Sequence, residues 1–287
     1  MISELKELFK YRDLVKQLVV RDLKIRYKNS FFGFFWSLLT PLVQVATITL
    51  VVKFIMGLPI PNYSAYLLVA YLPWMFFQTT LMDSSQAVLI HHDLLKKVYF
   101  PREVLPISIA ISNLIHFILA LTVFFIYLVW LRANFLPTMF LLPVLVFFHF
   151  LLNVGLALFV SCLNVFYEDV KYMVSMLLGI VFYLTPIMYL SEMVQLALRG
   201  KAYGGLLYKI FELNPLNALI IGYRKILLAP YSVPPGKDGK VSQILSQIQD
   251  QPLDWHILLA SFAMCTLIAI LGYAYFNRRK SIFAERV

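Results

Sequence analysis

The sequence predicts an all-α integral membrane fold. It has six transmembrane helices per protomer, an N-terminal amphipathic interface helix, and outer re-entrant or interfacial helices between spans five and six. Three observations predict it. Of 287 residues, 61% are hydrophobic and only 14% charged, whereas a water-facing surface normally goes with about 25% charge. The apolar residues fall in separate runs, most of them near the roughly 20 residues that a helix needs to cross a bilayer. The net charge of +10 sits in basic residues beside those runs, a pattern of cytoplasmic flanks and anionic lipid rather than nucleic acid.

Residues 1–30 read as an amphipathic helix. At 100° per residue, Leu5, Leu8, Phe9, Val15, Val19 and Leu23 share one arc, and Lys6, Lys10, Arg21, Lys24 and Lys28 share another. A basic face opposite an apolar one predicts a helix lying in the membrane surface. No uninterrupted apolar core of a cleavable signal peptide occurs here. The transmembrane domain spans 31–276. Its first span, 31–56, opens on Phe31, Phe32, Phe34, Phe35 and Trp36. Lys53 lies near its far end, where it can snorkel. The second span, 64–89, contains Pro73 and Trp74, a place for a kink. Residues 91–103 are too charged for the membrane core and predict a short cytoplasmic helix ending in a turn at Pro101.

The third and fourth spans, 104–131 and 137–164, flank a turn with Arg132 and Asn134. A charged link with Glu168 and Asp169 leads to the fifth span, 172–190. The connection 191–254 is the long one. Within it Asn214-Pro215 reads as a helix cap followed by proline at the first helical position, and the apolar stretch after it is too short to cross. Residues 230–239 read as an exposed turn, and 242–251 as a short polar helix. The last span is 255–276, followed by a basic tail, 277–287. Basic residues before the first span, in 91–103, at Lys171 and in the tail all fall on one side, so both ends are expected to be cytoplasmic.

Several classes of chemistry find no support. No phosphate-binding loop, dinucleotide fingerprint, H-E-x-x-H or G-x-S-x-G motif is present. Cys162 and Cys265 lie in apolar runs outside any C-x-x-C pair, which argues against a disulfide framework or a zinc site. Asp83 is the one clear carboxylate within a span, and it lies toward the cytoplasmic end. That weighs against proton-driven transport. His116 and His149 fall mid-span and read better as interhelical hydrogen-bonding groups than as a proton relay.

Any transport through such a chain would then draw its energy from elsewhere. The run Arg21-Asp22-Leu23-Lys24-Ile25-Arg26-Tyr27-Lys28 is followed by Ser30, Gly33, Trp36 and Pro41. Later come Leu95-Lys96-Lys97-Val98-Tyr99-Phe100-Pro101-Arg102-Glu103-Val104-Leu105-Pro106, Phe166-Tyr167-Glu168-Asp169-Val170, Thr185-Pro186-Ile187-Met188-Tyr189, Asn214-Pro215-Leu216 and Phe283-Ala284-Glu285. This ordered set, over nearly the whole chain, resembles ABC-2 type permeases that export O-antigen, capsule and wall teichoic acid. Two features depart from the family pattern. Glu168 stands where the family usually has arginine, so that arginine's role is not carried over. The outer connection is also longer than in compact O-antigen permeases, as in teichoic acid permeases.

The resemblance implies a transport subunit without ATPase activity of its own. It would work as a homodimer in a bacterial inner membrane, with two ATP-binding subunits on its cytoplasmic face. ATP and Mg belong to those subunits, and no cofactor or metal is expected in this chain. The coupling segment would be His91, His92, Asp93, Leu94, Leu95, Lys96, Lys97, Tyr99, Pro101, Arg102 and Glu103; the alternative is a plain solvated loop. Arg21, Lys24, Arg26 and Lys28 are expected to attract the diphosphate of a polyprenyl-linked glycan, or simply to anchor the inner flank; the two roles are compatible. Two copies would enclose a channel whose candidate lining is Trp36, Trp74, Phe77, Tyr183 and Tyr189, flat rings that stack on sugars. The alternative for each is packing or interface anchoring. Other functional classes are an ion-coupled secondary transporter and a membrane-embedded glycosyl- or acyltransferase. The second would have to use His91-His92-Asp93.

Overall fold

A computed structural model describes residues 10–27, 35–55, 62–91, 100–230, 252–280 and 283. Among these residues every regular element is helical. The predicted segment 92–99, the exposed turn from 231 onward and the polar helix at 242–251 lie outside them. In order, the helices are α1 (Arg12–Tyr27), α2 (Phe35–Leu50, continued by a wider π-helical turn at Val51–Ile55), α3 (Tyr63–Ser85) and the short α4 (Ala87–Ile90). Then follow α5 (Val104–Trp130), a 3₁₀ turn (Pro137–Leu141) leading into α6 (Leu142–Phe166), α7 (Val170–Leu184), α8 (Ser191–Leu198), α9 (Gly204–Leu213), α10 (Pro215–Leu227) and α11 (Trp255–Arg279).

Four of these, Tyr63–Ser85, Val104–Trp130, Pro137–Phe166 and Trp255–Arg279, are long and apolar enough to cross a membrane by length and composition. Two others, Leu39–Lys53 and Val170–Leu184, are apolar but shorter. The fifth predicted span, 172–190, therefore ends early as a helix. Thr185 precedes Pro186, whose ring disfavours helical geometry at the residue before it, and Thr185 turns to φ −88°, ψ 138°. The chain then runs on without a helix until Ser191. In contrast, α3 continues through Pro73 without interruption.

The second predicted span is divided at Gln86.

α3 is the centre of the bundle. It packs against α2, α5, α6, α7 and α10, and from Tyr63 to Leu81 most of its side chains are buried. α11 lies along α6. Their approach is close because Gly155 and Gly272 meet there: a Cβ at Gly155 would stand 2.6 Å from the Ala269 backbone, and one at Gly272 would run into the Gly155 carbonyl. Small residues are what let apolar helices approach this closely in lipid.

α1, expected to lie in the membrane surface, also packs on protein. Leu18 and Val19 are buried. Leu18, with Tyr11, Leu14 and Val15, forms a cluster with Ala87, Phe100, Val104, Leu105 and Ile109. These side chains thus cover the start of α4 and the start of α5, while Lys10, Lys16 and Lys24 face outward. Apolar burial drives this contact as it would drive insertion among acyl chains.

Candidate coupling and substrate surfaces

The basic end of the molecule joins three predicted elements. Arg21 contacts the ring Nε2 of His91, while His91 Nδ1 lies 2.7 Å from the Ala87 carbonyl. That carbonyl can only accept, so Nδ1 carries the proton and Nε2 accepts from Arg21. Arg21 also pairs with Asp22 at 3.0 Å. A residue expected at the lipid headgroups and a residue expected at the ATP-binding partner therefore touch each other. Lys24 is exposed, and Lys28 lies outside the described residues.

Arg26 turns inward, to Asp83 at 2.8 Å and to Asn113.

The far end of the expected coupling segment is fastened to the tail. Glu103 is 1% exposed and pairs with Lys280 at 3.1 Å. Arg102 donates to the Lys280 carbonyl, and its guanidinium stands 5.7 Å from the Phe283 ring. Phe283 is buried against Phe166 and Phe276. This clasp was not foreseen: the tail read only as positive charge, and Phe283 was noted without a role. Glu168 and Asp169 are exposed in the tight link before α7, where Asn164 accepts a hydrogen bond from the Lys171 amide at 3.0 Å.

The aromatic candidates separate into two groups. Trp74 is 1% exposed and Phe77 is buried. The Trp74 indole donates to Gln78 at 2.8 Å and packs on Phe77 and Phe182, so within one chain both rings face protein. Tyr183 is 70% exposed. Tyr189 is partly buried, and its hydroxyl donates to the Leu184 carbonyl at 2.9 Å. Trp36 is in α2, but its side chain lies outside the described residues. Around Tyr183 the structure adds Tyr172, Met173, Met176, Leu177, Ile180 and Leu184, all exposed and recurring at three- and four-residue steps along one face of α7. Sequence reasoning missed this face because an apolar span looks alike whether its neighbour is lipid, protein or a pathway.

At the opposite end, Asn214 accepts from the Leu216 amide at 3.0 Å, with Pro215 first in α10, as its sequence predicted. Arg224 on α10 is 5% exposed. Its guanidinium donates to the Tyr66, Ile187 and Tyr189 carbonyls and lies 3.7 Å over the Tyr66 ring. Beside it Lys225 pairs with Glu192 at 2.9 Å, with side chains 12% and 8% exposed. Burial pushes the Glu192 carboxyl upward, but the charge and hydrogen bond of Lys225, with the Ser191 hydroxyl, outweigh it and hold the group below its ordinary range.

The two mid-span histidines have separate surroundings. His149 is fully buried among Phe76, Phe117 and Tyr223, whose hydroxyl is 3.4 Å from Nδ1. His116 lines a cavity of about 220 Å³ with Arg26, Thr40 and Asn113. The arrangement around His149 is that of an interhelical packing group.

Comparison with known proteins follows the same outline. A family model described as ABC-2 type transporter matches residues 13–228. An O-antigen export system permease protein RfbA from Myxococcus xanthus is 33% identical over 228 residues, covering 79% of this chain and 84% of the relative. A protein of the same name from Klebsiella pneumoniae is 26% identical over 275 residues, covering 95% and 94%. A second from Klebsiella pneumoniae is 26% identical over 274 residues, with the same coverage. With its apolar helices, the molecule is a multi-pass membrane protein, and its family implies an ABC ATPase as partner. The chain belongs to the ABC-2 type transporter family.

Proposed function

We propose that this chain is the transmembrane permease subunit of an ATP-binding-cassette exporter that moves a polyprenyl-diphosphate-linked cell-surface polysaccharide across the bacterial inner membrane. The observation that carries this reading is the nearly end-to-end match, 95% of this chain on 94% of the relative, to a protein named for O-antigen export. That coverage supports an O-antigen-type glycan over the teichoic acid type suggested by the outer connection. Two copies form the transporter, each with six spans and both termini cytoplasmic. Two ATPase subunits, carrying ATP and Mg, dock at the coupling segment, residues 91–103.

The exposed tyrosine- and methionine-rich face of α7, with Tyr183 at its outer end, is the surface that would meet the second copy or the glycan. Rings and thioethers there present flat, polarisable contact without fixed charge, so a sugar chain meets no ionic trap. Closure of the ATPase subunits would push the coupling segment. Phe100, Val104 and Leu105 then carry that push to α1 through the Leu18 cluster, and the Glu103–Lys280 clasp carries it to α11.

Co-purification with the cognate ATP-binding subunit tests the docking. Lys96→Glu with Lys97→Glu is expected to reduce recovery of the ATPase about tenfold and to uncouple its hydrolysis from lipid-linked glycan. Unchanged recovery and unchanged stimulation would remove residues 91–103 from the interface.

A further inference from the structure

The end of α1 makes a small closed network. Arg26 Nη2 donates to Asp83 Oδ2 at 2.8 Å and Nη1 donates to Asn113 Oδ1 at 3.1 Å. Asn113 Nδ2 donates back to the same Asp83 oxygen at 3.1 Å. Asn113 is 2% exposed, whereas the Arg26 and Asp83 side chains are 37% and 40% exposed. The network is anchored on its inner side and open on its outer side. Two of its members, Arg26 and Asn113, also wall the cavity of about 220 Å³, together with Thr40, Thr79 and His116 and an apolar floor that includes Met75 and Phe117. That volume is several times the roughly 30 Å³ share of one liquid water.

A guanidinium fork accepts a carboxylate or a phosphate with the same planar geometry. A half-exposed ion pair is weakly held, and a phosphate or diphosphate brings more charge and more acceptor oxygens than one carboxylate. If Arg26 leaves, Asp83 keeps the Asn113 amide as donor and has solvent on its open side. The packing of Leu18 and Val19 holds the α1 backbone in place, so Arg26 changes partner by rotating its side chain. We propose that Asp83 is an internal stand-in for a phosphate ester, and that the cavity behind Arg26 receives the phosphate or diphosphate group of a membrane lipid by exchange of Asp83 for that group on Arg26. The group has two sources, the lipid-linked export substrate or a bulk anionic phospholipid. The first rests on the export reading above.

The test uses the full-length chain in nanodiscs of neutral phosphatidylcholine, with labelled polyprenyl diphosphate and, separately, phosphatidylglycerol as probes. Variants are Asp83→Asn, Arg26→Gln and the double substitution, each checked for unchanged melting and elution. Asp83→Asn is expected to tighten probe binding about threefold to fivefold, the strength of a half-exposed pair released from competition. Arg26→Gln is expected to weaken it about tenfold or more, and the Asp83→Asn gain should vanish on the Arg26→Gln background. Asp83→Asn that weakens binding, or leaves it unchanged, overturns the exchange and leaves the export reading untouched. Phosphatidylglycerol bound with the Asp83→Asn gain, and polyprenyl diphosphate not bound, supports the exchange and removes the export substrate as its source. Binding of neither probe overturns the site.

Discussion

Arg224 carries a full charge at 5% exposure, and its environment shows why that is tolerated. Three backbone carbonyls accept from it, and Tyr66 offers its ring face. Two of those carbonyls, of Ile187 and Tyr189, belong to the non-helical stretch after α7, which has carbonyls to spare because no helix continues there. Arg224→Lys keeps the charge but loses the planar fork and the stack. It should lower stability by about 2–3 kcal/mol, read as a lower melting temperature of the purified chain in detergent; an unchanged melt would contradict this role. The neighbouring Lys225–Glu192 pair gives a pH signature. A carboxyl held below its unfolded value contributes stability that is complete above about pH 4.5, the ordinary value, and is lost as pH falls through the lower folded value. Wild type should therefore lose stability below that pH while Glu192→Gln, already about 3–5 kcal/mol less stable at neutral pH, shows a flatter acid limb. Parallel acid limbs would assign the acid loss to other groups. The Asn214 cap was legible because its signal is local. Arg224, Lys225 and Glu192 were not, because their partners are distant in sequence and the residues read only as charges in a long loop.

Between elements, the closest approach is α6 against α11. Gly155 and Gly272 leave room for backbone against backbone, and no side chain there can rotate away to make space. Gly272→Ala should cost about 2–3 kcal/mol, measured as reduced melting temperature and folded yield. Gly205→Ala on α9, where the added Cβ would meet no neighbouring element within 4 Å, should leave both near wild type. Equal effects from the two would contradict the packing argument. Most helices were legible from apolar runs, and the described boundaries of α5 and α11 fall within a few residues of those expected. The partner of each helix face was not legible, because in a chain with 61% hydrophobic residues every side of a span is apolar. For the same reason the protein contact of α1 through Leu18 and Val19 was not legible.

At the scale of the whole molecule, the outstanding feature is where charge is found. Within the long apolar helices the described acidic side chain is Asp83, near the C-terminal end of α3 and already paired. The remaining described ion pairs lie on α1, at the Glu103–Lys280 clasp and between α8 and α10. A bundle built this way has strong mechanical ties at both faces and little inside it to bind and release protons or sodium ions. On the proposed reading, such a bundle passes on a push delivered by its ATPase partner. The proposed pathway was the least legible feature, since a lining shared by two copies would leave no pattern in one chain.

Transport into sealed vesicles tests that claim most directly. The purified chain is reconstituted alone or with its ATP-binding subunit, lipid-linked glycan is supplied on the outer leaflet, and its passage to the lumen is followed. The account predicts passage only with both polypeptides and hydrolysable ATP, at the same rate with or without a proton or sodium gradient. Gradient-driven passage by the chain alone would contradict it.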